Sequence, residues 1–173
     1  MHPSTTLAPQ SAPQSAPQSD ITLRLASSDD SDFLFSAYVA SRDEEMAQLA
    51  CDTPTKITFL RTQFSAQQQH YSANYDNATR YVILQNTQSI GVMWVARWPK
   101  EIRLMDMVIL PEFRNHGIGT QLLQQLLDEA SQSNKPIVLH TWEGNPAAAR
   151  FYERQHFRKV STDGMYARME WHA

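Results

Sequence analysis

The sequence predicts an α/β (α+β) fold: a central mixed, mostly antiparallel sheet of six to seven strands with about four helices. Three observations lead there. Strand-like segments 80–85, 90–98 and 101–110 are separated only by the turns Asn86-Thr87-Gln88-Ser89 and Pro99-Lys100, and so close a succession implies an antiparallel meander. The run from Leu104 to Leu123 reads as a buried strand, a proline stop at Pro111, a glycine-bearing loop and an amphipathic helix. Beyond it, a strand over 136–142, a helix opened by Asn145-Pro146 and two strands around Asp163-Gly164 close the domain. The predicted order is β-α-α-β-β-β-α-β-α-β-β.

Each element has a local reason. Ile21-Thr22-Leu23-Arg24-Leu25 alternates apolar and polar residues, the mark of a half-buried strand. Ser27-Ser28-Asp29-Asp30 supplies caps and early acidic residues for a helix carrying Phe33, Leu34, Ala37 and Tyr38 to about Arg42. A second helical piece continues through Glu44 to Leu49. Thr53 as cap and Pro54 at the first position open the next helix, which presents Ile57, Leu60, Phe64 and Tyr71. From Gly117 to about Ser131, Leu122, Leu123, Leu126 and Leu127 form one apolar stripe. Pro136 to Trp142 is short, apolar and β-branched, as a central strand requires. The last helix carries Ala147, Ala148, Phe151 and Tyr152.

Composition bounds the function classes. The chain has 173 residues, of which 42% are hydrophobic and 19% charged, enough for one domain with a real core. A formal net charge of −3 and the lack of a basic run argue against a sequence-independent grip on nucleic acid. Cys51 is the single cysteine, so neither a disulfide framework nor a cysteine-based zinc site is expected, and no metal is assigned. Residues 1–19 repeat Ala-Pro-Gln-Ser, a composition that cannot bury enough apolar surface to order itself, and are expected to be a disordered tail before a domain over 20–173. With no secretory pattern and no stretch able to span a bilayer, the expected compartment is the cytoplasm, without membrane association.

The strand–loop–helix at Leu104–Leu123 carries the chemistry. Gly117 and Gly119 remove side chains where a helix begins, so a bulky ligand can approach the backbone. Free N–H groups over 115–120 and the positive helix end favour a pyrophosphate, with Arg114 available for a bidentate contact. Alone, this spacing says only that a phosphate binds.

The run Val108-Ile109-Leu110-Pro111-Glu112-Phe113-Arg114-Asn115-His116-Gly117-Ile118-Gly119 resembles the acetyl-coenzyme A signature of the GNAT acetyltransferases, Arg/Gln-x-x-Gly-x-Gly/Ala. The second element, from Asn145 through Tyr152 to Phe157, resembles that family's other conserved-pattern segment, and the order of elements is similar from about Ile21 to Trp171. The resemblance implies the GNAT fold, acetyl-CoA as cofactor, and acetyl transfer by direct attack of a primary amine of a small molecule or peptide on the thioester. It implies cofactor contacts at Met107, Val108 and Ile109 for the pantetheine arm. Arg114, Asn115, His116, Gly117, Ile118, Gly119 and Thr120 would serve the pyrophosphate, with Asn145 beyond. Tyr152 takes the family's general-acid position, and backbone N–H around Ile109 or Leu110 would meet the carbonyl oxygen.

An alkylammonium must lose its proton before it attacks. His140 is the first choice of base, since its ordinary pKa suits proton acceptance near neutrality; Glu143, a water chain and Asp106 are the alternatives. On an unbroken strand Arg103, Met105, Met107 and Ile109 share one face and Asp106 the other. The acceptor site draws on Tyr38, Arg42, Glu45, Gln68, Tyr71, Trp94, Arg97, Trp98 and Trp142. His156 stands where the family usually has glycine, so that turn is expected to differ. A non-catalytic acyl-CoA sensor is the second reading, an acetyltransferase acting on charged tRNA a third; monomer and homodimer both stay open.

Overall fold

A computed structural model describes residues 20–47, 50 and 52–173. The Ala-Pro-Gln-Ser tail and Cys51 lie outside the described residues. The elements are β1 (Ile21–Leu25), α1 (Ser31–Ser41), α2 (Asp43–Ala47), α3 (Thr53–Asn74), β2 (Ala78–Gln85), β3 (Gln88–Arg97), β4 (Ile102–Ile109), α4 (Ile118–Ser133), β5 (Ile137–Trp142), α5 (Pro146–Arg154), β6 (Arg158–Asp163) and β7 (Tyr166–Trp171). The predicted order holds, with the piece after Arg42 forming a separate short helix, α2. Asp52, rather than Thr53, caps α3: its side chain accepts from the Thr55 N–H at 2.9 Å, while Pro54 sits in the first turn as expected.

Seven strands form one sheet in the order β1-β2-β3-β4-β5-β7-β6. Every neighbouring pair is antiparallel except β4 and β5. That parallel pair lasts only from Ile102, Arg103 and Leu104 opposite Ile137, Val138 and Leu139. The strands then part, and their C-terminal halves, Met107–Ile109 and His140–Trp142, face a gap.

The main core lies on the α4/α5 side of the sheet. The leucine stripe of α4 (Leu122, Leu123, Leu126, Leu127) is buried there with Ile102, Leu104, Ile137, Leu139 and Met169. The opposite side is covered by α1 and α3 in two smaller clusters, one holding Leu34, Ala37, Val92 and Val108, the other Phe35, Tyr38, Met46 and Leu60. Leu60 is the buried anchor of α3, whereas Ile57, expected on the apolar face, remains 37% exposed.

One irregularity overturns the expected face assignment on β4. Leu104 stands opposite Val95 and Asp106 opposite Trp94, so Met105 is an extra residue without a partner. Such a bulge switches the side-chain alternation. Ile102 and Leu104 therefore share the main core with Met107 and Ile109, while Asp106 and Val108 turn with Arg103 toward α1 and α3. Arg97, expected near the acceptor, instead pairs with Glu129 of α4 at 2.6 and 2.8 Å and reaches Tyr81.

Candidate functional site

The gap between β4 and β5 opens into a cleft of about 1460 Å³ that runs from the N-terminus of α4 to the α1/α3 side of the sheet. Its mouth is the loop after β4. Pro111 starts a short 3-10 turn, the Arg114 N–H donates to the Pro111 carbonyl at 3.2 Å, and the chain turns twice through left-handed conformations, at Asn115 (φ 63°) and Gly117 (φ 78°). Asparagine tolerates that region and glycine has no side chain to strain, so this pair of residues permits the loop. Gly117 is the N-cap of α4, and the Gln121 N–H donates to its carbonyl at 3.0 Å. The first N–H groups of α4 have no intrahelical acceptor and point toward the cleft mouth.

Gly119 has a different use. A Cβ there would come within 3.4–3.5 Å of Phe151 and Ile109, so its small size lets α4 lie close to α5 and β4. Arg114, expected to make a two-pronged phosphate contact, braces the loop within the protein. Its Nε donates to the Ile109 carbonyl at 2.8 Å and one terminal nitrogen to the Ala40 carbonyl at 3.2 Å, bracing the loop against β4 and α1. The Leu110 N–H donates to Ile90 at 2.9 Å and is unavailable to a ligand, which leaves the β4 end at Ile109.

Of the residues expected at the site, Met107, Val108, Ile109, Arg114, Asn115, Gly117, Ile118, Gly119, Thr120, His140, Asn145 and Tyr152 all line this one cleft; His116 is exposed outside it. Asn145 caps α5, its side-chain oxygen accepting the Ala148 N–H at 3.0 Å. That cap aims α5 so that Tyr152 packs its ring edge-to-face against Phe151 and Phe157. Its turn is completed by His156, which adopts φ 68° and allows the Phe157 N–H to reach the Tyr152 carbonyl at 3.1 Å. The turn thus keeps the left-handed geometry that glycine usually supplies, contrary to the expectation that it would differ.

Electrostatics separate the titratable groups. Burial, with the charge of Asp106 next, pushes the Tyr152 phenol well above its ordinary value, so it keeps its proton throughout the physiological range. Partial burial, followed by the guanidinium groups of Arg103 and Arg168, lowers His140 against the opposing pull of Asp163 and Glu101. Both effects favour the neutral ring. Glu143 is ion-paired with Lys159, which holds its carboxyl below the usual range, and it is not among the residues that line the cleft. Asp106, turned into the cleft by the Met105 bulge, is pushed up to about 6 by burial, opposed by Arg42, the Met107 N–H and Arg80. Sequence periodicity placed Asp106 opposite Met105 and Met107 but had no signal for the bulge that sets it on the cleft floor.

On the acceptor side, Tyr38, Arg42, Glu45, Tyr71 and Trp142 line the cleft as expected. Gln68 and Trp94 border a smaller adjoining pocket, and Trp98 stacks on Tyr75 at 5.8 Å. Among the described residues, no group of three or more His, Cys, Asp or Glu side chains is placed to hold a metal ion, and no helix is long and apolar enough to cross a membrane.

Comparison with known proteins adds family to geometry. An uncharacterized N-acetyltransferase of Archaeoglobus fulgidus is 36% identical over 61 residues, which cover 34% of this chain and 41% of the relative. N-alpha-acetyltransferase 60 of Xenopus tropicalis is 35% identical over 60 residues, 32% of this chain and 25% of the relative. The matched stretches thus span less than half of these curated relatives. Among solved structures, PaiA N-acetyltransferase of Thermoplasma acidophilum, in complex with coenzyme A, superposes with a TM-score of 0.70 at 18% identity, covering 89% of this chain and 99% of that one. Spermidine N-acetyltransferase of Vibrio cholerae, in complex with CoA and spermine, gives 0.60 at 19% identity over 90% and 96%. At these identities the likeness is one of fold. The model of the "Acetyltransferase (GNAT) family" matches residues 37–157, from within α1 through α5, and the chain belongs to that family.

Proposed function

We propose that this chain is an acetyl-CoA-dependent N-acetyltransferase that transfers an acetyl group to a primary amine of a small molecule or peptide. One observation carries the reading: β4 and β5 part after three paired residues, and the gap is flanked by a free helix N-terminus on one side and the Tyr152 hydroxyl on the other. Bound acetyl-CoA would supply the acetyl group already activated as a thioester.

The residues present fit that molecule. The open backbone edge of Met107–Ile109 suits the amides of an extended pantetheine arm, which would add to the sheet as a strand does. The N–H groups of Asn115 to Thr120 suit a pyrophosphate at the start of α4, with Arg114 holding the loop that presents them. Beyond the gap, Tyr152 retains its proton and is suited to give it to the departing sulfur. His140, neutral and at the acceptor wall, is suited to take the proton from the incoming ammonium. Asp106 is the second candidate for that role, since its raised pKa lies nearer the working range than that of an ordinary carboxylate. The cytoplasm remains the expected compartment.

The test is release of free thiol from acetyl-CoA across an amine panel, with Tyr152→Phe in parallel. Tight CoA binding without amine-dependent thiol release would favour the non-catalytic acyl-CoA sensor instead.

A further inference from the structure

The two halves of the cleft differ in charge. Around the start of α4 and along α5, where a pyrophosphate would lie, the lining residues include Arg114, Arg150 and Arg154 and no carboxylate. All four carboxylates that line the cleft, Asp43, Glu45, Asp106 and Asp163, stand on the acceptor half, against the guanidinium groups of Arg42 and Arg103. They come from three separate elements, α2, β4 and β6, so no single helix or turn accounts for their meeting here.

Ion pairing sharpens that contrast. Arg42 gives one terminal nitrogen to Glu45 at 3.2 Å, and Arg103 gives Nε and one terminal nitrogen to Glu101 at 3.1 and 2.8 Å. Each guanidinium of the acceptor half therefore has a carboxylate of its own. Asp43, Asp106 and Asp163 have no ion-pair partner among the described residues. Asp106 lies at the gap, where burial disfavours its charged form and a nearby cation favours it. Asp43 and Asp163 are exposed at the rim, one on the helix side and one on the strand side.

Aromatic rings stand with these carboxylates. Trp142, Tyr166 and Asp163 are register partners across β5, β7 and β6, so they share one face of the sheet. On the α3 wall Tyr71 and Tyr75 meet edge-to-face, their centroids 5.4 Å apart. The protein's own guanidinium groups lie over Tyr38, Trp94 and Trp98. Among the described residues none lies over Trp142, Tyr166 or Tyr71, nor over Tyr75, which stacks one face on Trp98. A ligand cation can use these ring faces.

Resting on the acetyltransferase reading, we infer that the acceptor is a small amine with at least one further positive charge, a linear alkyl diamine or polyamine. Its reacting nitrogen lies at the gap beside Asp106. Its distal ammonium lies at the rim, where Asp43 and Asp163 supply charge and Trp142 and Tyr166 supply ring faces. Only the reacting nitrogen changes charge. It gives its proton to the base and takes the acetyl group as the carbon–sulfur bond breaks, with Tyr152 supplying the thiol proton. The distal ammonium stays charged throughout and serves as a handle.

The experiment compares diaminobutane with pentylamine, in which a methyl group replaces the second ammonium, each with acetyl-CoA and thiol release as readout. The exposed ion pairs and the ring faces together should favour the diamine by about tenfold in kcat/KM. That advantage should shrink as ionic strength rises from about 0.1 M to 1 M, where the screening length falls from about 10 Å to about 3 Å. Asp43 and Asp163 are exposed and make no side-chain hydrogen bond among the described residues, so Asp43→Asn with Asp163→Asn should fold normally. The double variant should remove most of the advantage by raising KM for the diamine. An advantage that both salt and the double variant leave intact overturns the inference. Equal use of the two amines, or preference for a zwitterionic amino acid, overturns it while leaving the enzyme reading intact. Preference for a lysine-containing peptide over every free diamine overturns the small acceptor in favour of a polypeptide. If no amine releases thiol, the enzyme reading itself fails. Calorimetric titration of the two amines into CoA-loaded protein then decides the inference, which falls if the diamine does not bind more tightly.

Discussion

Replacing Tyr152 by phenylalanine removes one oxygen and leaves the ring. Tyr152 is 9% exposed, and its ring is held on two sides by Phe151 and Phe157. Among the described residues, no protein group hydrogen-bonds its hydroxyl, which borders the cleft. Folding should therefore be almost indifferent to the change, with stability altered by less than about 0.5 kcal/mol. Catalysis should not be indifferent. A positioned proton donor contributes about 10²–10⁴-fold, or about 2.7–5.4 kcal/mol in the barrier. Tyr152→Phe should thus lower kcat for amine-dependent thiol release by that factor while Tm and KM for acetyl-CoA hold. Because burial raises the phenol, its ionisation should not limit the rate below about pH 10. The stability linked to that neutral phenol is fully present below the ordinary tyrosine pKa and is lost only as pH climbs above it. An unchanged kcat in the variant would refute the proton-donor role. A fall in kcat accompanied by an equal loss of folded protein would mean that Tyr152 acts only through packing.

Asp106 gives a prediction of opposite character. Its pKa is raised from 3.8 to about 6, so the folded state favours the protonated form. The stability this contributes is full below about pH 4 and is lost as pH rises through 6. After discounting for its partial opening to the cleft, Asp106→Asn should stabilise the protein by about 1–2 kcal/mol at pH 7 and by little at pH 4; a lower Tm for the variant at pH 7 would show that Arg42 and Arg80 depend on the carboxylate. At His156, held at φ 68°, substitution by glycine should relieve left-handed strain and stabilise by about 1 kcal/mol in urea unfolding. Loss of stability there would mean that the imidazole makes compensating contacts. Leu123→Ala, at a site with 0% exposure in the main core, should cost about 2–5 kcal/mol, and a cost below about 1 kcal/mol would contradict the packing of α4 against the sheet.

Most of the scaffold could be read from one dimension because its signals are local. The leucine stripe of α4, the Asn145-Pro146 cap of α5 and the turn-separated strands β2 to β4 each depend on neighbours within a few residues, and each appears where expected. The glycine loop was legible for the same reason: the left-handed φ at Gly117 is a property of that residue and the helix it begins. Its short-range chemistry also located the mouth of the cleft.

What only the folded chain decided is long-range. The unpartnered Met105 arises from how β4 registers on β3, which no alternation within β4 announces, and it set Arg103 on the same face as Asp106, where plain alternation had put them on opposite faces. Arg114 was expected as a phosphate ligand because glycines follow it at 117 and 119 where a helix begins; that its side chain also braces the loop through the Ala40 carbonyl, far away in the chain, no local signal announced. Glu143 found an ion-pair partner in Lys159, and His140 came to lie near Arg103 and Arg168 on adjacent strands. The sequence alone determined the elements, their order and the glycine-bearing start of α4, since backbone preference and apolar periodicity are local. Tertiary structure decided which charges meet across the gap, because register and burial exist only after the strands have paired.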